Sequence, residues 1–316
     1  MKVIIEVNNI ELKKPTELED LKTETIKISD KKDENEQDWQ IELISYTDPY
    51  CTWCWGSEPI LRKIKAIYGD QVKISFIMGG LVENFDTFYD LHNNIGGPRK
   101  FEQGAAHWAE ASGRHGQPVD NQLMFDLKKD FRSTYPANIA YKAAQMQDQE
   151  LADKFLRRMR EFTSAERRII HEIEVQVELA EEIGLNNEKF VRDIKSGEAE
   201  KKFLEDLKLT RSFGIHGFPT FQVKNKEGKG QFLNGWQNYQ TFERVFQKLT
   251  GNSLKKEKYY LKEKDVLRFI KKFEKVSTQE IAILFDIDRY AAYKYLNKLK
   301  TVRKIEAGND YFWVLT

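Results

Sequence analysis

Two cysteines, the only ones in 316 residues, stand three positions apart where a strand pattern gives way to a helix pattern. The run WQIELISYT (39–47), rich in apolar and β-branched residues, leads directly into DPYCTWCWGSEP (48–59). Beyond the cysteines Ile60, Ile64 and Ile67 recur at helical spacing, with Lys63 and Lys65 between them. YGD then closes the helix, and QVKISFIMGGL (71–81) reads as a second strand. Strand, helix and strand in this order predict a parallel crossover, with Cys51 at the junction of the first strand and the helix. A chain built on such a unit is α/β.

From about Pro98 to Phe213 the pattern is helical. Pro136 stands where a helix begins, before ANIAYKAAQMQ. Stripes follow at Leu151, Phe155, Met159 and Phe162, at Ile169, Ile173, Val177 and Leu179, and at Phe203 and Leu207; they predict a helical bundle packed on the sheet. β structure returns in FPTFQVKN, turns at KEGKG and continues in QFLNG, before a last helix in NYQTFERVFQKLTG. These elements make one domain over 41–253, with a helical insertion over about 82–213 after its second strand. Residues 1–40, lysine- and glutamate-rich, read as an extension that adds an edge strand or hairpin, and no chemistry is assigned to them.

A second domain is expected over 254–316. Val266, Phe269, Ile270 and Phe273 mark an amphipathic helix, Ser277 and Glu280 have capping-box spacing before IAILFD, and DRYAAYKYLNKL makes a third helix. RKIEAGNDYFWVL reads as two strands around Gly308 and Asn309. Three helices followed by a hairpin predict a small winged helix.

The 51 basic and 50 acidic residues cancel to a net charge of +1, so no global field draws the chain to nucleic acid or anionic lipid. No run of 18 apolar residues occurs, and Glu6 and Asn8 interrupt the first apolar run before it reaches signal-peptide length. A cytoplasmic protein without a membrane partner is the expectation. A reducing compartment argues against a permanent disulfide between Cys51 and Cys54. A zinc site needs about four ligands, and the five histidines, at 92, 107, 115, 171 and 216, share no zinc-finger spacing with the cysteines, so no metal is expected.

Redox chemistry is left. A cysteine at the first turn of a helix meets unpaired N–H groups and the positive end of the dipole, which predicts a lowered pKa for Cys51. Cys54, one turn on and less exposed, would resolve the mixed disulfide that Cys51 forms. The dithiol carries both electrons, so no cofactor is implied. Trp53 is expected on an apolar rim suited to peptide contact, with Trp55 and Phe76 in the core. Pro219, after Phe218 in GIHGFPTF, begins a strand where no ladder N–H is required. His216 reads as a surface or packing residue.

On TDPYCTWCWGSEP, STYPANIAYKAAQ and GIHGFPTF, in that order between about Trp39 and Gly251, the chain resembles the DsbA superfamily of thioredoxin-like proteins, specifically its cytosolic FrnE-like dithiol isomerase branch. The resemblance implies a thioredoxin-like fold in which Cys51 is the nucleophile, Cys54 the resolving thiol and Pro219 a cis-proline beside them. Phe218 and Trp53 would help to hold a cysteine-containing protein substrate. EIAILFDIDRYAAYKYLNKL and KIEAGNDYFWVL, behind such a domain, are similar to the cytosolic adapters that present the Spx regulator to the ClpXP protease. That second resemblance implies a regulator and a protease as partners. The Cys- and His-rich segment typical of those adapters has no counterpart in Met1 to Gln40.

Three functions follow: thiol–disulfide exchange, protease adapter and, third, DNA binding through the winged helix. For the last, 254–316 holds 15 basic and 9 acidic residues, an excess of six, with Arg289, Tyr290, Lys294 and Lys298 on the third helix. Asp286 and Asp288 at that helix's N-terminus would repel phosphate, so nucleic acid is disfavoured.

Overall fold

Strand β1 (Ile41–Thr47) is the spine of the molecule: Ile41, Leu43 and every residue from Ser45 to Thr47 are buried. After a two-residue turn come the short helix α1 (Thr52–Trp55) and helix α2 (Glu58–Tyr68), which Pro59 opens and Gly69 closes. Strand β2 (Val72–Met78) then lies parallel to β1, with Ile41 opposite Val72 and Thr47 opposite Met78. The computed structural model describes residues 39–316. All but the last two residues of the expected 1–40 extension lie outside the described residues.

The chain leaves the sheet at Gly79 and makes a small hairpin, β3 (Tyr89–Asp90) with β4 (Ile95–Gly96). Helices α3 (Lys100–His115), α4 (Leu123–Asp126), α5 (Tyr135–Gln145), α6 (Gln149–Ser164), α7 (Ile173–Glu182), α8 (Asn187–Lys195) and α9 (Glu198–Ser212) follow. The apolar stripes read from the sequence meet in one core: Phe155, Met159, Phe162, Leu179, Phe203 and Leu207 are buried together, joined by Tyr141 and Phe190 and by Trp55 and Met78 from the sheet side. The chain then re-enters the sheet in β5 (Thr220–Asn225), which pairs antiparallel with β1, and β6 (Gly230–Asn234), giving the order β2-β1-β5-β6. Helix α10 (Tyr239–Thr250) presents Phe242 and Phe246 to Phe221, Val223, Ile60 and Ile64, and this second core covers a face of the sheet.

The C-terminal part comprises α11 (Glu263–Phe273), β7 (Lys275–Ser277), α12 (Thr278–Phe285), α13 (Arg289–Leu296), β8 (Val302–Ala307) and β9 (Asp310–Leu315). The capping box forms as expected: Ser277 accepts from the Glu280 N–H while Glu280 accepts from the Ser277 N–H. Strand β7 was not visible in the sequence, because its three residues carry too little pattern; it pairs with β9 in a three-stranded sheet, β7-β9-β8. This part does not stand apart. Helix α12 lies along α2, Lys63 reaches the Ile283 carbonyl and Asp286 at 2.7 and 2.6 Å, and Arg62 reaches the Lys275 carbonyl at 2.7 Å. Arg289 on α13 remains exposed and donates to the Gly116 carbonyl at 3.1 Å. Among the described residues no helix is long and apolar enough to cross a membrane.

Candidate functional site

Where β1 ends, the wholly buried Asp48 organises the turn that carries the cysteines. Its carboxylate accepts hydrogen bonds from the N–H of Tyr50 and of Leu81, the Thr134 hydroxyl and the Asn138 amide, each at 2.8 Å. One side chain thereby joins the cysteine turn, the loop after β2 and the first turn of α5, which accounts for the STYPANIAY segment standing with the cysteines in one constellation. Burial pushes the Asp48 pKa up against those hydrogen bonds.

Cys51 caps α1. Its sulfur accepts from the Cys54 N–H at 3.2 Å and, as a thiol, donates to the Phe218 carbonyl at 3.5 Å. The Phe218–Pro219 peptide is cis. The fold thus brings the first cysteine against the prolyl peptide from the far end of the insertion. Both cysteines are free thiols, and both are buried, Cys51 at 5% exposure and Cys54 at 2%. Beside Cys51 runs an open groove of about 1610 Å³ whose walls include Tyr50, Trp53, His107, Phe213, Phe218 and Trp236; Cys51 lines it and Cys54 does not.

The expected lowering of the Cys51 pKa is corrected. Burial, the hydrogen bond and charge of Cys54, and Asp48 nearby push the Cys51 thiol well up. The helix it caps is only four residues long and breaks at Gly56 and Ser57 before α2 begins, so the charge at its end is small. The favourable electrostatics lie one turn deeper. Burial opposes ionisation of Cys54 as well, but the hydrogen bond from Cys51, the Arg160 guanidinium and the Thr47 hydroxyl outweigh it and bring Cys54 down. The surroundings thus favour ionisation of Cys54 over that of Cys51, while it is Cys51 that lines the groove.

Trp53 is half-buried on the groove wall, its ring edge-on to His107 and His115 at 6.2 and 5.8 Å. Trp55 is fully buried, with its indole N–H on the Pro118 carbonyl at 2.8 Å. Phe218 faces Gly79, where its ring occupies the space a side chain would need. His216 is exposed on the groove. Sequence reasoning missed Asp48, Arg160 and Trp236. Asp48 lay within the quoted motif, but nothing in its spacing announced four donors. Arg160 is a charged residue on an otherwise amphipathic helix. Trp236, whose indole N–H holds the Gly56 carbonyl at 2.9 Å, follows a hairpin in a stretch without periodicity.

A family model described as Thioredoxin matches residues 44–244. In Bacillus subtilis (strain 168) the ClpXP adapter protein SpxH is 28% identical over 279 residues, which cover 86% of this chain and 88% of that protein. The protein of that name from Halalkalibacterium halodurans is 27% identical over 268 residues, 84% of this chain and 85% of its own. Among solved structures, a Nitrosomonas europaea protein assigned as a disulfide isomerase superposes with a TM-score of 0.55 at 20% identity, covering 66% of this chain and 97% of its own. A four-stranded sheet with the cysteine pair at the end of its first strand, a helical domain carried between β2 and β5, and a family match over most of that span lead to one assignment: the chain belongs to the thioredoxin family.

Proposed function

We propose that the protein is a cytoplasmic thiol–disulfide oxidoreductase acting on cysteine-containing proteins. The observation that carries this reading is the meeting of the Cys51 sulfur with the Phe218 carbonyl of a cis-prolyl peptide on the edge of an open groove, with Cys54 directly behind. Access selects Cys51 as the nucleophile. After losing its proton, its thiolate attacks one sulfur of a substrate disulfide; the substrate S–S bond breaks, a Cys51–substrate disulfide forms and the other substrate sulfur leaves as a thiolate that takes up a proton. The Cys54 thiolate then attacks Cys51, forming the Cys51–Cys54 disulfide and releasing the second substrate thiolate. The substrate gains two electrons, the dithiol loses two, and the reverse sequence oxidises a substrate dithiol. Backbone groups around Pro219, with Phe218 and Trp53, hold an extended chain across the groove.

Cys54→Ala should accumulate disulfide-linked partners that Cys51→Ser does not, read on non-reducing gels of protein purified from cells. An equal yield from both variants would defeat the proposal.

A second reading is favoured by one observation: the similarity to ClpXP adapter proteins runs over 84 to 86% of the chain, beyond the thioredoxin part. As an adapter, the protein would bind a regulator of the Spx kind and present it to ClpXP. A Cys51→Ser, Cys54→Ser variant that still accelerates client degradation by that protease supports the adapter.

A further inference from the structure

The two outer strands of the four-stranded sheet, β2 and β6, are built differently. Strand β2 carries Lys73, paired with Glu42 at 3.3 Å, and Asp206 of α9 takes the Met78 N–H at 3.0 Å; charge and cover of this kind keep a strand edge from pairing with another chain. Strand β6, Gly-Gln-Phe-Leu-Asn, holds no charge and no proline, and among the described residues no strand lies beyond it.

The β5–β6 register shows which of its backbone groups are free. The Gly235 N–H donates to the Pro219 carbonyl at 2.8 Å and the Asn225 N–H to the Lys229 carbonyl at 2.9 Å. These pairs stand at the two ends of an unbroken antiparallel ladder, in which bonded and non-bonded pairs alternate. Gln231 and Leu233 therefore turn their N–H and C=O groups to β5, and those of Gly230, Phe232 and Asn234 point outward. The Asn234 carbonyl accepts from the Gln237 amide at 2.7 Å; the others have no partner among the described residues. Beside this edge two rings are exposed, Phe232 at 39% and Phe213 at 47%, 5.4 Å apart and both against the Tyr46 ring. The edge is continuous with the groove of Cys51, which Phe213, Phe232, Asn234 and Gly235 line as well. An extended chain held at Cys51 thus meets, within one groove, an open row of donors and acceptors and an apolar contact.

Resting on the exchange reaction proposed above, we propose that β6 is the docking edge for the substrate chain. A segment beside the substrate's cysteine pairs in extended form with Gly230, Phe232 and Asn234 and sets an apolar side chain on Phe213 and Phe232. The substrate class follows: cysteines in unfolded chains or long loops, whose flanks are free to become a strand, with apolar residues at alternate positions and no proline.

The test uses the full chain and peptide disulfides whose alternating valine–threonine flanks are about two or about six residues long. Lengthening the flank should lower KM about tenfold in the wild type, the effect of one or two added main-chain hydrogen bonds. Phe232→Pro should lose that gain: the Phe232 N–H lies on the outer side, so the proline removes an outward donor and leaves the β5–β6 ladder intact. Phe232→Leu, which keeps the donor, should retain most of it. A proline variant with the wild-type gain, or a leucine variant that loses as much as the proline one, overturns the proposal. If Phe232→Pro does not fold, Phe232→Lys decides, because lysine keeps natural edges unpaired: a lost gain supports the proposal, a kept one overturns it. Sedimentation of the wild type as a dimer that Phe232→Pro makes monomeric would put a second copy of the chain on the edge and overturn it as well. Titration with the long peptide carrying serine for its cysteine separates the two readings. Binding that Phe232→Pro weakens, without turnover of the disulfide peptides, defeats exchange and sustains the docking edge; turnover without dependence on flank length does the reverse.

Discussion

At the scale of single residues, buried polar groups decide more than exposed ones. Replacing Asp48 by alanine leaves its four donors without their acceptor, and one or two unsatisfied buried groups cost about 2–4 kcal/mol. We expect that loss in urea denaturation, with a larger loss for Asp48→Ala than for Asp48→Asn. His115, 1% exposed beside Trp53, has its pKa lowered by burial to about 3. Its imidazole is neutral in the fold and protonates in the unfolded chain below its ordinary value, so it withdraws stability as pH falls below about 6.5, by up to about 1.4 kcal/mol per pH unit. Asp153, lifted to about 7 by burial, adds stability over the same window, because the folded chain there binds the proton that the unfolded chain releases. The difference between wild type and His115→Asn therefore isolates the histidine: the variant should lose less stability between about pH 6.5 and 5 in parallel urea titrations. Parallel curves would show that His115 does not stay neutral in the fold.

At the scale of elements, the site is made where strand ends meet. Cys51 stands after β1, Gly79 after β2 and Pro219 before β5, and the pairing of β1 with both neighbours brings the three together. Gly79 is required by space: a Cβ there would lie 2.0 Å from the Phe218 ring. Gly79→Ala should push Phe218 away from its place beside Cys51 and slow exchange with a peptide disulfide about ten- to a hundredfold, since small displacements at a reacting centre carry large rate penalties. Helix content by circular dichroism should stay unchanged. A rate equal to wild type would mean that the position of Phe218 is immaterial to exchange.

At the scale of the whole molecule, the C-terminal part is bonded to the back of the cysteine site. Trp55, one residue after Cys54, has the Arg157 guanidinium over its ring at 4.5 Å and Phe312 of β9 edge-on at 6.2 Å. Arg157 continues to Glu280 in the capping box of α12. Gly308, with positive φ in the β8–β9 turn, lies against the Val119 backbone, and Asn309 accepts from the Val119 N–H at 3.0 Å. Glu280→Gln removes the negative charge from a fully buried site shared by Arg157 and Arg62 and should cost about 3–5 kcal/mol. Because the two parts share this interior, denaturation should remain a single transition moved to lower urea. A separate early transition of the C-terminal part, with the thioredoxin part unchanged, would show that the two unfold independently.

The local chemistry of the chain was legible without coordinates. The apolar, β-branched run in IELISYT, the 3.6-residue stripes of the insertion, the Ser277–Glu280 capping box and the spacing of Cys51 and Cys54 are short-range signals, and the elements they predict are present. The order of those elements was enough to indicate a sheet interrupted by a helical domain. The opposite shifts of the two cysteines were not legible, because they depend on burial, on a helix that breaks after four residues and on an arginine about a hundred positions away. Nor was the joining of the two halves, since Glu58, Arg157 and Glu280 become one network only when α2, α6 and α12 pack together. Periodicity is written in neighbouring residues and survives in the sequence. Electrostatics acts through space, and in this protein only the tertiary structure determined which charges meet.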